Sequence, residues 1–239
     1  MTAQPPPAPG SLAVFIPSTT RQSPTDLLSG FGLTPIKTLS TSTAAKTVAL
    51  VRTGGLTYRA ALTVRSAGYV LHLTLLNPVQ GGSATDPMAA ARTFLAQHGL
   101  AAGAQPAGVH AATGGDKVVL FTQTTPYIVQ GAHAQVTVSA GGQVRTVDIQ
   151  WIDTTRAALA PCISAASALN LIGLGQGVVH SAGTLPTTND SVGAPDIVYL
   201  PAGSGSNLYY EPVYVFSGHS AGGANFQIYV PALDPSYLE

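Results

Sequence analysis

Charge is what this sequence has least of. Lys, Arg, Asp and Glu together make up 8% of the chain, against about 25% in a typical soluble domain. The ten basic and ten acidic residues cancel, and no run of Lys or Arg occurs. A cationic stripe that could displace counterions from a phosphate backbone is therefore missing, which argues against nucleic acid as a partner. Cysteine is almost absent too: a lone Cys162 excludes any disulfide within the chain. It stands in Ala160-Pro161-Cys162-Ile163, at the head of an apolar helical pattern with no base or cation nearby, and reads as a small buried hydrophobe. No stretch approaches the roughly 20 apolar residues needed to span a bilayer.

With so few charges, the surface must be covered by Thr, Ser, Gln, Gly and Ala. Such neutral coats are commoner on secreted and cell-surface proteins than on cytosolic ones. Residues 2–10, TAQPPPAPG, form an uncharged Pro-rich stretch of the kind that tethers a domain to an anchor. The closing Leu238-Glu239 has the look of a cloning scar. Both lead us to expect a natural signal or membrane anchor that this sequence does not include, and an extracytoplasmic location. The 239 residues, 45% of them hydrophobic, suffice for one large domain or two to three small ones.

A short amphipathic segment ending in Gly-Leu occurs three times: at 27–33 (LLSGFGL), 94–100 (FLAQHGL) and 168–174 (ALNLIGL). Apolar residues fall at helical spacing in each, and Gly32, Gly99 and Gly173 stand where a helix can end in the left-handed conformation. The second has the fullest signals: Asp86 as N-cap, Pro87 in the first turn, and a stripe of Met88, Ala91, Phe94 and Leu95. The third is expected to begin near Pro161, with Ala165, Ala168, Leu169 and Ile172 on one face.

Strand-like runs follow each helix. They cover 47–52, 56–64 and 69–76, then 117–122, 133–140 and 144–152, then 197–200, 209–216 and 224–230. Gly141-Gly142 is a hairpin signal, since both glycines tolerate positive φ. Successive strands joined by tight turns are antiparallel. The pattern predicts an α+β fold of tandem two-layer units, each one helix packed on a small antiparallel sheet. The expected boundaries are a Pro-rich tether at 1–10, a degenerate first unit at 11–85, a second unit at 86–158 and a third at 159–237.

The second and third units resemble the PepSY-like family of extracytoplasmic domains and the related YycH/YycI-type regulators. The resemblance rests on Ala90-Ala91-Arg92-Thr93-Phe94-Leu95 leading to Gly99-Leu100, on 129–138 (VQGAHAQVTV), and on the hairpin from Gly141 to Trp151. It returns in 163–169 (ISAASAL) and 209–216 (YYEPVYVF), so that it covers roughly residues 86–233. The resemblance implies a non-catalytic module outside the membrane, of the kind linked to protease inhibition or to control of membrane sensor kinases, with no cofactor and no catalytic residue to carry over. The very low charge departs from the family pattern.

Candidate sites are few. Gly218-His219-Ser220-Ala221-Gly222 matches the G-x-S-x-G nucleophile elbow and follows an apolar run, which raises a serine hydrolase with Ser220 as nucleophile. That chemistry needs a helix after the serine and a downstream acid and histidine. Here a strand-like run follows, and His219 is the last histidine. The six histidines His72, His98, His110, His133, His180 and His219 have no metal-ligand spacing with one another or with Cys or carboxylates. His98, at a helix C-terminus, would as a cation suit the helix dipole. Asp148 and Asp153 flank Trp151 and read as solvated carboxylates. Tyr209, Tyr210 and Tyr214, together with Trp151, are candidates for a contact surface, since aromatics are enriched at interfaces; filling the core is their other use. The loops at 175–194 and 202–207 would rim the Tyr-rich face.

The sequence thus predicts a non-catalytic extracytoplasmic binding or regulatory module, with a protein partner such as a membrane protein or protease, and no metal or cofactor. A structural cell-surface or envelope protein is the alternative that the Thr/Ala/Gly-rich composition suggests.

Overall fold

The computed structural model describes residues 10–18, 22–43, 45–78, 86–125, 127–181, 191–204, 207–220 and 222–237. Residues 1–9, where the sequence suggests a tether, residues 182–190 of the 175–194 loop, Ala221 and the Leu238-Glu239 end lie outside the described residues. The chain divides into two compact units, one of residues 17–154 and one of residues 1–16 with 155–239.

In the first of these, α1 (Pro24–Gly30) is followed by strands β2 (Thr34–Thr43), β3 (Lys46–Thr53), β4 (Leu56–Arg65) and β5 (Gly68–Leu75). Then α2 (Pro87–Gln97) is followed by β6 (Ala104–Ala111), β7 (Lys117–Thr124), β8 (Ile128–Val138) and β9 (Val144–Trp151). A helix followed by a four-stranded meander therefore occurs twice. The two meanders do not form separate sheets. Their last strands, β5 and β9, pair antiparallel from Tyr69↔Trp151 to Thr74↔Thr146. This makes one antiparallel sheet in the order β6-β7-β8-β9-β5-β4-β3-β2.

The expected tandem of two-layer units, each helix on its own small sheet, is thereby corrected: the described residues are mostly sheet, with three short α-helices. The physical reason is the edge of a sheet. Each meander ends in a strand with unpaired N–H and C=O groups. Joining β5 to β9 satisfies both rows at once.

Alternation along the strands fills one side of this sheet. Ala49 and Val51, then Tyr58, Ala60 and Leu62, then Tyr69, Leu71, Leu73 and Leu75 are buried, as are Val136, Val138, Val147, Ile149 and Trp151 across the junction. Helix α1 adds Leu28 and α2 adds Ala91 and Leu95, each fully buried large aliphatic side chain contributing about 1.5–3 kcal/mol. Met88 and Phe94 pack against this cluster in the stripe the sequence predicts. Helix α1 lies over β2–β4 and α2 over β7–β9.

All three helices end alike. Leu33 N donates to Leu28 O, Leu100 N to Leu95 O, and, after α3 (Ala165–Gly173), Gln176 N to Leu171 O, at 3.0, 2.9 and 2.8 Å. The residue before each of these donors is a glycine at positive φ: Gly32, Gly99 and Gly175. In the third helix the stop falls at Gly175; Gly173 is still helical. That helix starts at Ala165, with Ser164 Oγ accepting from Ser167 N, and Pro161 belongs to the preceding strand. Leu169 is exposed, so the buried face is Ala165 and Ala168 with Leu171 and Ile172 beside them.

The second unit contains β1 (Ser11–Pro17), β10 (Thr154–Pro161), α3, β11 (Val178–Ser181), β12 (Ser191–Val192), β13 (Asp196–Ala202), β14 (Tyr209–His219) and β15 (Asn225–Pro231). Strand β14 is its axis. One edge pairs with β13 and β12, the other with β1 and β15. Strand β14 is buried continuously from Pro212 to Phe216, and α3 packs against Tyr214, Phe216, Phe226, Ile228 and Val230.

One side chain in the sheet of the 17–154 unit acts as a substitute strand. The amide of buried Gln123 donates from Nε2 to Ile152 O at 2.7 Å and accepts at Oε1 from Ile152 N at 3.2 Å. Gln123→Leu keeps similar bulk but leaves both backbone groups without partners. We expect a loss of about 2–3 kcal/mol, read as a lower midpoint in urea unfolding with an unchanged slope.

Candidate functional site

The β5–β9 junction builds two places in the 17–154 unit where polar groups gather. The first is the open side of the sheet. There His72 faces Asp148 across the junction. His72 Nδ1–H donates to Asp148 Oδ1, and Thr74 Oγ1 lies 2.9 Å from His72 Nε2. On the neighbouring rungs Thr146 donates to Thr137 at 2.8 Å. Asp148 pairs in register with Gln135, and Thr74 with Arg59. The hydroxyl–imidazole–carboxylate order has the wiring of a catalytic triad. Both side chains of its ion pair are about half exposed (50% and 43%) on an open sheet, whereas such chemistry relies on preorganised oxyanion donors in a site that excludes water.

The second place is a cavity of about 250 Å³ at the end of the same two strands. Tyr69 at the start of β5 sits opposite Trp151 at the end of β9. The approach is close because Gly68 has no side chain: a Cβ there would lie 2.1 Å from Trp151 O, and its φ of +124° also disfavours other residues. The Tyr69 ring lies 5.1 Å from that of Phe31, which follows α1. The Tyr69 hydroxyl accepts from Ala101 N at 3.3 Å. That bond helps hold Ala101 at φ 49°, a left-handed conformation that non-glycine residues seldom adopt. Asp153 follows Trp151, and its carbonyl accepts from Ser18 N at 2.8 Å. Arg65, from the end of β4, lines the cavity with it. Partial desolvation raises the Asp153 carboxyl above its ordinary value. Burial pushes Tyr69 up to about 12, aided by the Asp153 charge and opposed by the Ala101 N–H.

The aromatic residues that the sequence offers as a contact surface are largely inside the protein. Trp151 is buried at this cavity. Tyr210 and Tyr214 are buried in β14, at 5% and 2% exposure, and the Tyr214 hydroxyl donates to Ile163 O at 2.9 Å. Tyr209 is half-buried against the small cluster of Val14, Ala160 and Leu233. Trp151 lies in the 17–154 unit and the three tyrosines in the other.

Cys162 is half-buried, and burial raises its thiol. His98 is buried: its Nδ1–H donates to Phe31 O at 2.9 Å, and the Thr53 hydroxyl lies 3.1 Å from Nε2, so it ties α1 and β3 to the end of α2. Among the described residues, no group of three or more His, Cys, Asp or Glu is placed to hold a metal ion.

Ser220 occupies a hairpin turn between β14 and β15. Its N donates to Ala224 O at 2.8 Å, and its Oγ accepts from Ala224 N at 3.1 Å. The next element is strand β15, and His219 bonds to Asn225 Oδ1 at 2.6 Å across the ladder. A nucleophile elbow requires a strand-to-helix turn, so the hydrolase alternative loses its geometry. Sequence reasoning missed Tyr69, Arg65 and Gly68. Gly68 after Ser66-Ala67 marks a turn, but nothing local says that the turn ends beside Trp151.

No family model matches the chain, and no curated protein matches it. Among solved structures, it is similar to the Bacillus megaterium YpeB C-terminal domain, with 15% identity over 86% of this chain and 88% of that one, at a TM-score of 0.44. No activity or partner passes from that protein to this chain, and the match does not bear on the YycH/YycI-type half of the resemblance. No described helix is long and apolar enough to cross a membrane.

Two results are expected. A fluorophosphonate probe leaves Ser220 unlabelled, since its Oγ accepts in the turn and no histidine relieves it of a proton; peptide mass mapping checks this. Tyr58 and Tyr69 are both raised to about 12 by burial, whereas unfolded tyrosine ionises near 10. Their contribution to stability is therefore intact below pH 10 and is lost as the pH climbs towards 12. Ultraviolet titration should show these two ionising only with unfolding.

Proposed function

We propose that this chain is a non-catalytic, PepSY-like recognition module that works outside the cytoplasmic membrane and binds a protein partner, in the manner of a regulator or inhibitor. The observation that supports it best is the open side of the eight-stranded sheet in the 17–154 unit. Arg59, Thr74, His72, Asp148, Thr146 and Gln135 lie on adjacent rungs there and form a continuous neutral-polar surface carrying one cation and one ion pair. A strand lattice holds such side chains at fixed spacing, so recognition orders little that is not already ordered. The low total charge suits a partner contact made by hydrogen bonds rather than by long-range steering.

Site-specific photo-crosslinking tests the reading. A photoreactive residue at Gln135, in the native cell, should give one crosslinked protein species that mass spectrometry identifies. The same residue at Ile36, on edge strand β2, should give none, and Arg59→Glu should reduce the yield several-fold. Absence of any adduct from Gln135, or equal adducts from both positions, would overturn it. Growth of scattering with concentration, with the adduct being a second copy of this chain, would instead favour the envelope-protein alternative.

A further inference from the structure

We propose that the cavity between Tyr69 and Asp153 binds a small zwitterion with an apolar side chain, of the size of one amino acid or a dipeptide. The inference goes beyond the recognition reading and does not depend on it, because the cavity and the open sheet side are different surfaces of one unit.

Three observations carry it. The first is size: about 250 Å³ falls below the roughly 300–1,000 Å³ of sites that take drug-sized ligands. The second is the lining. Leu27, Phe31, Tyr69 and Trp151 supply apolar wall, while Arg65 and Asp153 bring opposite charges to the same cavity. Among the described residues the ion pairs are His72–Asp148 and Arg145–Asp116, so neither charge has an ion-pair partner among them. A carboxylate without a partner gains from an incoming ammonium group, and a guanidinium from a carboxylate. A ligand bearing both satisfies both, and its side chain meets the aromatic wall.

The third observation is preorganisation. Gly68 and Ala101, both at positive φ, hold the wall in place: one allows β5 to approach Trp151, and the other donates its N–H to the Tyr69 hydroxyl. The left-handed φ of Ala101 is strained backbone of the kind that gathers at ligand sites.

Trp151 is the only tryptophan in the chain, so its emission reports on this cavity alone. The experiment titrates the full chain with L-leucine, L-leucyl-L-leucine, N-acetyl-L-leucine and L-leucinamide, and follows Trp151 fluorescence together with the amide resonances of Tyr69 and Asp153. L-leucine or the dipeptide is expected to give a saturable change; whichever binds more tightly tells a free amino acid from a peptide. The acetylated compound, without an ammonium group, and the amide, without a carboxylate, should each bind at least about ten-fold more weakly.

Asp153→Asn should weaken L-leucine and L-leucinamide but not N-acetyl-L-leucine, and Arg65→Gln should weaken L-leucine and N-acetyl-L-leucine but not the amide. Both side chains are at the rim, so the variants are expected to keep the native circular dichroism spectrum. No saturable change in either signal up to millimolar concentration overturns the proposal, as does equal affinity for zwitterion and capped compounds. Neither result touches the crosslinking at Gln135, so the two readings fail separately.

Discussion

The antiparallel ladder between β5 and β9 organises the 17–154 unit. It turns two four-stranded meanders into one eight-stranded sheet. It removes two sheet edges from water, brings Leu71 opposite Ile149 and Leu73 opposite Val147 at the centre of the core, and sets His72 beside Asp148 on the other side. The register cannot slip by one residue without turning that core face outwards. Each helix covers its own meander, so the local helix-on-strands logic survives inside a larger sheet.

The same ladder places the chemistry. Tyr69 is the first side chain of β5 and Trp151 the last of β9, so the end of the junction is an aromatic corner with Asp153 just beyond it. Gly68 permits the approach. Arg65 arrives because the hairpin between β4 and β5 is tight, Arg65 pairing with Gly68. The surfaces that carry polar groups are therefore both consequences of one strand pairing 76 residues apart in sequence, as His72 and Asp148 are.

Much of the local structure is legible in the residues. Alternation reveals the strands at 47–52, 56–64, 69–76 and 144–152, which the structure bounds at 46–53, 56–65, 68–75 and 144–151, and Asp86, Pro87 and an apolar stripe reveal α2. Strands β2 and β6 stay hidden. Thr34–Thr43 and Ala104–Ala111 contain Pro35 and Pro106, have register shifts, and form the outer edges of the sheet. Edge strands lack the apolar alternation that burial imposes, and proline is tolerated there. In α3 two glycines compete, and the helix runs on to the later one. At Gly141-Gly142 only Gly142 takes positive φ, with Ser139 N bonded to Gln143 O around a five-residue loop. The apolar run in β14 reads as a strand at sight, but the packing of α3 over Tyr214 and Phe216 is decided only by the tertiary structure.

Residue pattern alone dictates the periodic elements, the glycine-stopped helices and the neutral surface, because each depends on residues within one turn or one hairpin of each other. Long-range pairing decides the rest: that the two meanders fuse, that Ser220 caps a turn rather than attacking a substrate, and that Arg65, Tyr69, Trp151 and Asp153 share a cavity. Hydrogen bonding between strand edges is the same for every residue type except proline. Which two edges meet is therefore not written in side-chain pattern, but in how the whole chain satisfies its backbone.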